Sequence, residues 1–245
     1  PPLIAPPRWW KQFKVYAQRD VHSKRTNKQY LLINLLEAPI LALILAGFNR
    51  FQEGGDAYVY RLSENIPQFL FISVIVSLFM GLSVSAEEIL RDRPTLRRER
   101  FLQLNWTAYL TSKVSLMFGL SAVQSASYAL ISIVVLRIPD AFGILFLTLF
   151  SLSCFANMLG LSISSAFRSA KVIYIIIPLL IIPQIIFGGA IVRFDRFNPV
   201  FTEVDRVPWI GNIMASRWGF ESLAVSLTRD NQADAPFIEL EDRLE

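Results

Sequence analysis

Histidine and cysteine are almost missing: the chain holds only His22 and Cys154. One cysteine excludes an intramolecular disulfide. One of each excludes an ordinary zinc site and a Cys-His nucleophile pair. The sequence has no glycine-rich phosphate loop and no Ser-His-Asp constellation, so catalysis by this chain has little support. Net charge is only +4 over 245 residues, and the basic residues lie beside apolar blocks, which argues against nucleic acid as a partner. Residues 1–30 lack the apolar core of a cleavable signal peptide.

What is abundant is apolar sequence, 53% of the chain. It is gathered in blocks of about 20 residues, the length a helix needs to cross a bilayer. Five such blocks occur, at 30–51, 66–90, 114–136, 141–167 and 172–192. The expected fold is therefore an all-α integral membrane protein with five transmembrane helices, residues 30–192. Residues 1–8 read as a proline-rich linker (Pro1-Pro2 and Pro6-Pro7) from an upstream domain. Residues 9–29 combine Trp9, Trp10, Phe13, Val15, Tyr16 and Val21 with basic side chains, the pattern of an amphipathic helix on a membrane surface. Residues 193–227 hold short apolar pieces between charges and suit helices dipping into the outer interface. Residues 228–245 are polar and acidic, the start of a soluble segment.

Charge gives the orientation. Arg8, Lys11, Lys14, Arg19, Lys24, Arg25 and Lys28 precede the first block. A charged hinge over 87–100 follows the second, and Arg168 and Lys171 follow the fourth. The opposite side carries Arg50, Arg61 and Arg137. This places the N-terminus and the hinge in the cytoplasm, in an inner or plasma membrane, and residues 193–245 outside. Trp106 and Tyr109 read as an interfacial aromatic pair before the third block.

Four features carry two readings each. Glu37 lies about 10 Å along the first helix at 1.5 Å per residue. It is either a functional membrane acid or one solvated or hydrogen-bonded near the interface. Pro178 and Pro183, followed by Gly188-Gly189, make either a gate or a static bend. Ala156, Gly160 and Ser164 recur every four residues, and Ser121, Gln124, Ser125 and Ser127 enrich the preceding helix. They provide either close helix packing or a polar substrate path. The hinge is either a lipid-headgroup patch or a docking site for a cytoplasmic domain.

At the hinge and the tail the sequence resembles a family. Ser83-Val84-Ser85-Ala86-Glu87-Glu88, Arg98-Glu99-Arg100 and Ala108-Tyr109-Leu110-Thr111-Ser112-Lys113 are similar to the second-helix end, coupling segment and third-helix start of ABC-2 type permease domains. The G subfamily of white/pigment, sterol and multidrug half-transporters is the nearest in pattern. Phe187-Gly188-Gly189-Ala190-Ile191-Val192 and Ser216-Arg217-Trp218-Gly219-Phe220-Glu221-Ser222-Leu223 resemble its fifth-helix end and external re-entrant helix.

The resemblance implies an ATP-driven exporter of a hydrophobic or amphipathic substrate, working by alternating access. It implies an ABC nucleotide-binding domain as partner, holding the ATP and magnesium that this chain does not bind, and a second membrane half, a homodimer in the simplest form. It places coupling at Arg98, Glu99 and Arg100. It places the substrate path at Ser77, Leu78, Gly81, Ile182 and Ile185, and the exit gate at Phe187, Ala190 and Ile191. Two departures stand out: Gly81 occupies a position that is aromatic in multidrug members, and the family's sixth helix is not in this chain. The rival reading is a non-ABC membrane scaffold or channel-like protein whose hinge binds lipid or partners.

Overall fold

In a computed structural model, the structure describes residues 8–50, 65–99, 105–138, 141–190 and 209–229. Among them it is all-helical. The elements are α1 (Trp9–Thr26), α2 (Lys28–Asn49), α3 (Asn65–Ser85), α4 (Glu88–Glu99) and α5 (Trp106–Leu136). They are followed by α6 (Phe142–Ala166), α7 (Ala170–Ile186), α8 (Trp209–Ile213) and α9 (Ala215–Arg229). Four helical stretches, Lys28–Asn49, Asn65–Arg98, Trp106–Leu136 and Phe142–Ala166, are long and apolar enough to cross a membrane. The fifth expected span is α7, apolar but only 17 residues long and carrying Pro178 and Pro183. The chain thus has four to five membrane-spanning helices.

Two expected boundaries move. The second helix does not run to Leu90; it breaks at Ala86-Glu87, and the charged hinge is itself the helix α4. The third begins at Trp106 rather than 114, because the Asn105 side chain accepts the Thr107 N–H as an N-cap. Of the expected aromatic pair, Tyr109 is fully buried within the protein, while Trp106 stays exposed.

The bundle is built on close-approaching small residues. Ser73, Ser77, Gly81 and Ser85 form a buried stripe of period four on α3. It faces Ala156, Gly160 and Ser164 on α6, and this α3–α6 seam is the most extensive contact in the structure. A Cβ on Gly81 would lie 2.6 Å from the Ser153 carbonyl and 2.7 Å from Ala156 Cβ. One on Gly160 would collide with Ser85. Without water in hydrocarbon, dispersion and polar contacts hold helices together, so backbone proximity carries the packing. A second stripe, Ala38, Ala42 and Ala46 on α2, is wholly buried as α2 packs on α5.

Several buried hydroxyls and amides pair between helices, where little water can reach. Ser77 Oγ donates to the Leu149 carbonyl at 2.6 Å, and Ser73 Oγ meets Tyr128 OH at 2.7 Å. Ser121 Oγ meets Ser153 Oγ at 2.7 Å, and Asn157 Nδ2 donates to Ser121 Oγ at 2.7 Å. Gln124 Nε2 donates to the Asn34 carbonyl at 2.9 Å. Ser121, Gln124, Ser153 and Asn157 thus make contacts between helices of this chain.

At the other end, α9 closes over α3 and α6. Ser216, Gly219 and Leu223 are its inward face. Gln184 of α7 holds its start, with Oε1 accepting Ser216 N–H at 2.9 Å and the Gln184 carbonyl accepting Ser216 Oγ at 2.7 Å. Gly189 adopts φ 81°, a left-handed turn that suits glycine.

Gly160→Val should lower stability by roughly 1–3 kcal/mol through overpacking of the seam. Gly119→Ala and Gly143→Ala, where a Cβ meets open space, should be neutral. Thermal unfolding in detergent distinguishes the three. A neutral Gly160→Val would show that the seam can part without loss.

Candidate functional site

The end of the bundle that carries α1 and α4 contains a buried ionic cluster. Its centre is Lys113 on α5, which is 3% exposed at the side chain. The Lys113 ammonium lies 2.7 Å from Asp20 Oδ2 on α1, 2.8 Å from Asp92 Oδ2 and 3.1 Å from Glu88 Oε2, both on α4. Glu88 turns its other oxygen to Lys24 of α1. Tyr30 at the start of α2 donates to the same oxygen at 3.3 Å. Tyr109 OH donates to Asp92 Oδ2 at 2.9 Å. One constellation thus ties α1, α2, α4 and α5 together.

Local sequence explains how each helix supplies its part. Gln12, Tyr16 and Asp20 recur every four residues and form the buried face of α1. They run alongside the first turns of α5: Gln12 Oε1 accepts Asn105 N–H at 2.8 Å, and the Tyr16 and Tyr109 rings meet edge-on at 5.5 Å. Trp10 and Val15 point outward. The aromatic and basic pattern of 9–29 is real, but the face that α1 presents to the protein is polar. On α4, Glu88 and Asp92 are one turn apart and meet Lys113 from the same side.

Charges this deep lose hydration, and only mutual pairing offsets the loss. Burial pushes the Asp20 carboxyl above its usual range, and Lys113 draws it back only in part. Burial also pushes the Lys24 ammonium down, against the pull of Glu88. The sign follows for each. The contribution of Asp20 to stability falls as pH rises through its raised pKa. That of Lys24 falls as pH drops through its lowered one. Both groups sit in the cluster at a desolvation cost.

A second device joins α4 to α6. The first N–H groups of a helix lack intrahelical acceptors. For α4 the acceptor is a hydroxyl from another helix: Ser164 Oγ on α6 accepts the N–H groups of Ile89 and Leu90, both at 3.0 Å. In return, Arg93 of α4 donates to the carbonyls of Ser164 at 3.1 Å and Ser165 at 2.6 Å in the last turn of α6. Each helix caps the other.

The candidate residues from the sequence are distributed as follows. Arg98 is exposed on α4; Glu99 closes that helix, and Arg100 lies outside the described residues. Ser77, Leu78 and Gly81 are buried, with Ser77 and Gly81 set against α6. Ile182 is exposed on α7, and Ile185 is half-buried. Phe187 and Ala190 are half-buried beyond α7, and Ile191 lies outside the described residues. Glu37 is half-buried on α2. Among the described residues, the coupling candidates lie on α4, and the path and gate candidates on α3 and in and just beyond α7. The cluster around Lys113 and the Ser164–Arg93 interlock were missed. The signals were the polar period-four stripe on α1 and a lysine inside an otherwise helical segment.

No group of three or more His, Cys, Asp or Glu side chains among the described residues could hold a metal. The arrangement ties the charged helix α4 to the spanning bundle. The family model of ABC-2 type transporters matches residues 11–228. The chain belongs to that family. It is also 27% identical over 239 residues to the ABC transporter ATP-binding/permease protein Rv1747 of Mycobacterium tuberculosis. That match covers 89% of this chain and 25% of the relative, so this ABC-2 domain spans about a quarter of the relative's length.

Lys113→Met should cost about 3–5 kcal/mol, because it leaves Asp20 and Asp92 without their cation and Glu88 with Lys24 alone. Asp20→Asn should cost less, since burial already disfavours that charge. Chemical unfolding of the two variants checks the order. An equal loss would remove Lys113 from the centre of the cluster.

Proposed function

We propose that this chain is the membrane domain of an ATP-driven ABC transporter, exporting a hydrophobic or amphipathic substrate by alternating access. The observation that carries the reading is the double attachment of α4. Through Lys113 it is tied to α1 and α5, and through Ser164 and Arg93 to α6, which in turn is seamed to α3. A force on α4 from outside the bilayer would therefore displace α6 and α3 as a unit. Packed helices switch between discrete arrangements rather than deforming continuously. ATP binding would shift the balance between two such arrangements.

The partner in this reading is an ABC nucleotide-binding domain, on the same chain or a separate one, which holds ATP and magnesium. The name of the mycobacterial relative joins ATP-binding and permease functions, which supports that partnership. The basic asymmetry of the loops favours a cytoplasmic α1 and α4. The order of motifs favours the G subfamily. Coupling would run through Arg98, Glu99 and Arg100 at the end of α4. A second membrane half would pack on the outward apolar side of α7, where Ile175, Leu179 and Ile182 are bare. The substrate path would follow Ile182 and Ile185. Ser77, Leu78 and Gly81 would join it only in a state in which α3 parts from α6. Phe187, Ala190 and Ile191 would close the exit, and Glu37 would remain a membrane acid open to protonation.

The test is transport by the full-length protein with its ATPase in sealed vesicles. The parent should show ATP-dependent substrate movement. Arg93→Ala should insert normally and retain basal ATP hydrolysis, yet lose substrate stimulation at least tenfold. Arg93→Lys, which keeps the charge but not the forked geometry, should recover part of it. Full stimulation in Arg93→Ala would refute transmission through the α4–α6 interlock.

A further inference from the structure

Glu37 is a half-buried acid inside a spanning helix. No charged group among the described residues bears on it. An ionisable side chain at membrane depth is costly, and its partner marks an ion or substrate path. The direction of Glu37 follows from its helix. Tyr30 and Glu37 are seven residues apart, two turns, and share one face of α2. Tyr30 meets the junction of α3 and α4, where its hydroxyl donates to Glu88 and Arg91 lies over its ring at 5.7 Å. Glu37 therefore looks along the edge of α3, beside the buried stripe of Ala38, Ala42 and Ala46 rather than within it.

At that edge α3 presents its incompletely buried side, with Ile72, Ile75, Phe79, Ser83 and Glu87 at intervals of three or four. α7 also packs on α3, and it makes no extensive contact with α2. The Tyr174 hydroxyl of α7 donates to Glu87, which pairs with Arg91 at 3.6 Å. Tyr30, Arg91, Glu87 and Tyr174 thus close the foot of a trough floored by α3 and flanked by α2 and α7. Glu37 stands about 10 Å above Tyr30 at helical rise, level with Phe79 and Ser83 on the antiparallel α3. Phe79 is 43% exposed there.

One acid beside an apolar trough complements a molecule that is apolar in body and positive in charge. A neutral molecule would leave the carboxyl unpaired, and an anion would be repelled. We propose that this trough binds an amphipathic organic cation, with Glu37 as its counter-ion and the α3 stripe against its apolar body. The proposal rests on the exporter reading only in making that cation the cargo.

The test is equilibrium binding of tetraphenylphosphonium and tetraphenylborate to the full-length protein in detergent. The two ions match in size and shape and differ in sign. The parent should bind the cation about tenfold more tightly than the anion. Glu37→Gln should erase that preference, and Glu37→Asp should keep most of it. Phe79→Ala should weaken both ions alike, because it removes apolar cover and no charge. Leu43→Ala, exposed elsewhere on α2, should change neither. Equal binding of the two ions by the parent, or an undiminished preference in Glu37→Gln, would overturn the site. So would a Glu37→Gln variant that keeps the cation and loses self-association, which would assign the acid to the contact between membrane halves. Transport in sealed vesicles is read separately. Glu37-dependent binding without ATP-dependent movement of the cation would leave the site standing and remove it from the cargo path. ATP-dependent export with no preference for the cation would keep the exporter reading and sink the site.

Discussion

An ammonium group buried among three carboxylates is the constraint on which one end of this bundle depends. Lys113 belongs to a spanning helix, Asp20 to a helix lying outside the spans, and Glu88 and Asp92 to the charged helix between them. None of these groups could enter a low-dielectric setting alone. Each is tolerable because the others are present, and their geometry is satisfied only when α1, α4 and α5 are correctly placed. The ionic cluster acts as a positional lock. Such a lock is well suited to elements that must move together.

From that lock, close contacts continue through the bundle. The Ser164–Arg93 exchange makes the start of α4 and the end of α6 one piece. The small-residue stripes on α3 and α6 then bring two backbones together along their length, leaving no slack in which a displacement could dissipate. At the far end, Gln184 and the inward face of α9 attach the last helix to the same core. A signal entering at α4 therefore has a continuous packed route through the membrane, whatever its chemical source.

Much of this architecture was legible in the chain. The apolar blocks, a helix before the first of them, the stripe Ala156-Gly160-Ser164 and a helical tail around Ser216–Leu223 follow from local composition and period. The hinge at 87–100 was legible as charged but not as a helix. Its residues resemble a loop by hydropathy, and the groups that cap it come from α6. Tyr109 reads as an interfacial aromatic in sequence. It is buried because its hydroxyl finds Asp92, a partner on another helix.

The sequence by itself determined that lipid is the main solvent of this protein, and which stretches meet it, because hydropathy over about 20 residues is a local property. It also determined the family, through the order of short motifs. Tertiary structure alone decided which polar residues would be tolerated inside and what they would join. A lysine in a helix becomes a hub or a surface charge according to what faces it. Asp20, Glu88 and Asp92 are brought to Lys113 by the packing of separate helices, and no local pattern of sequence encodes that meeting.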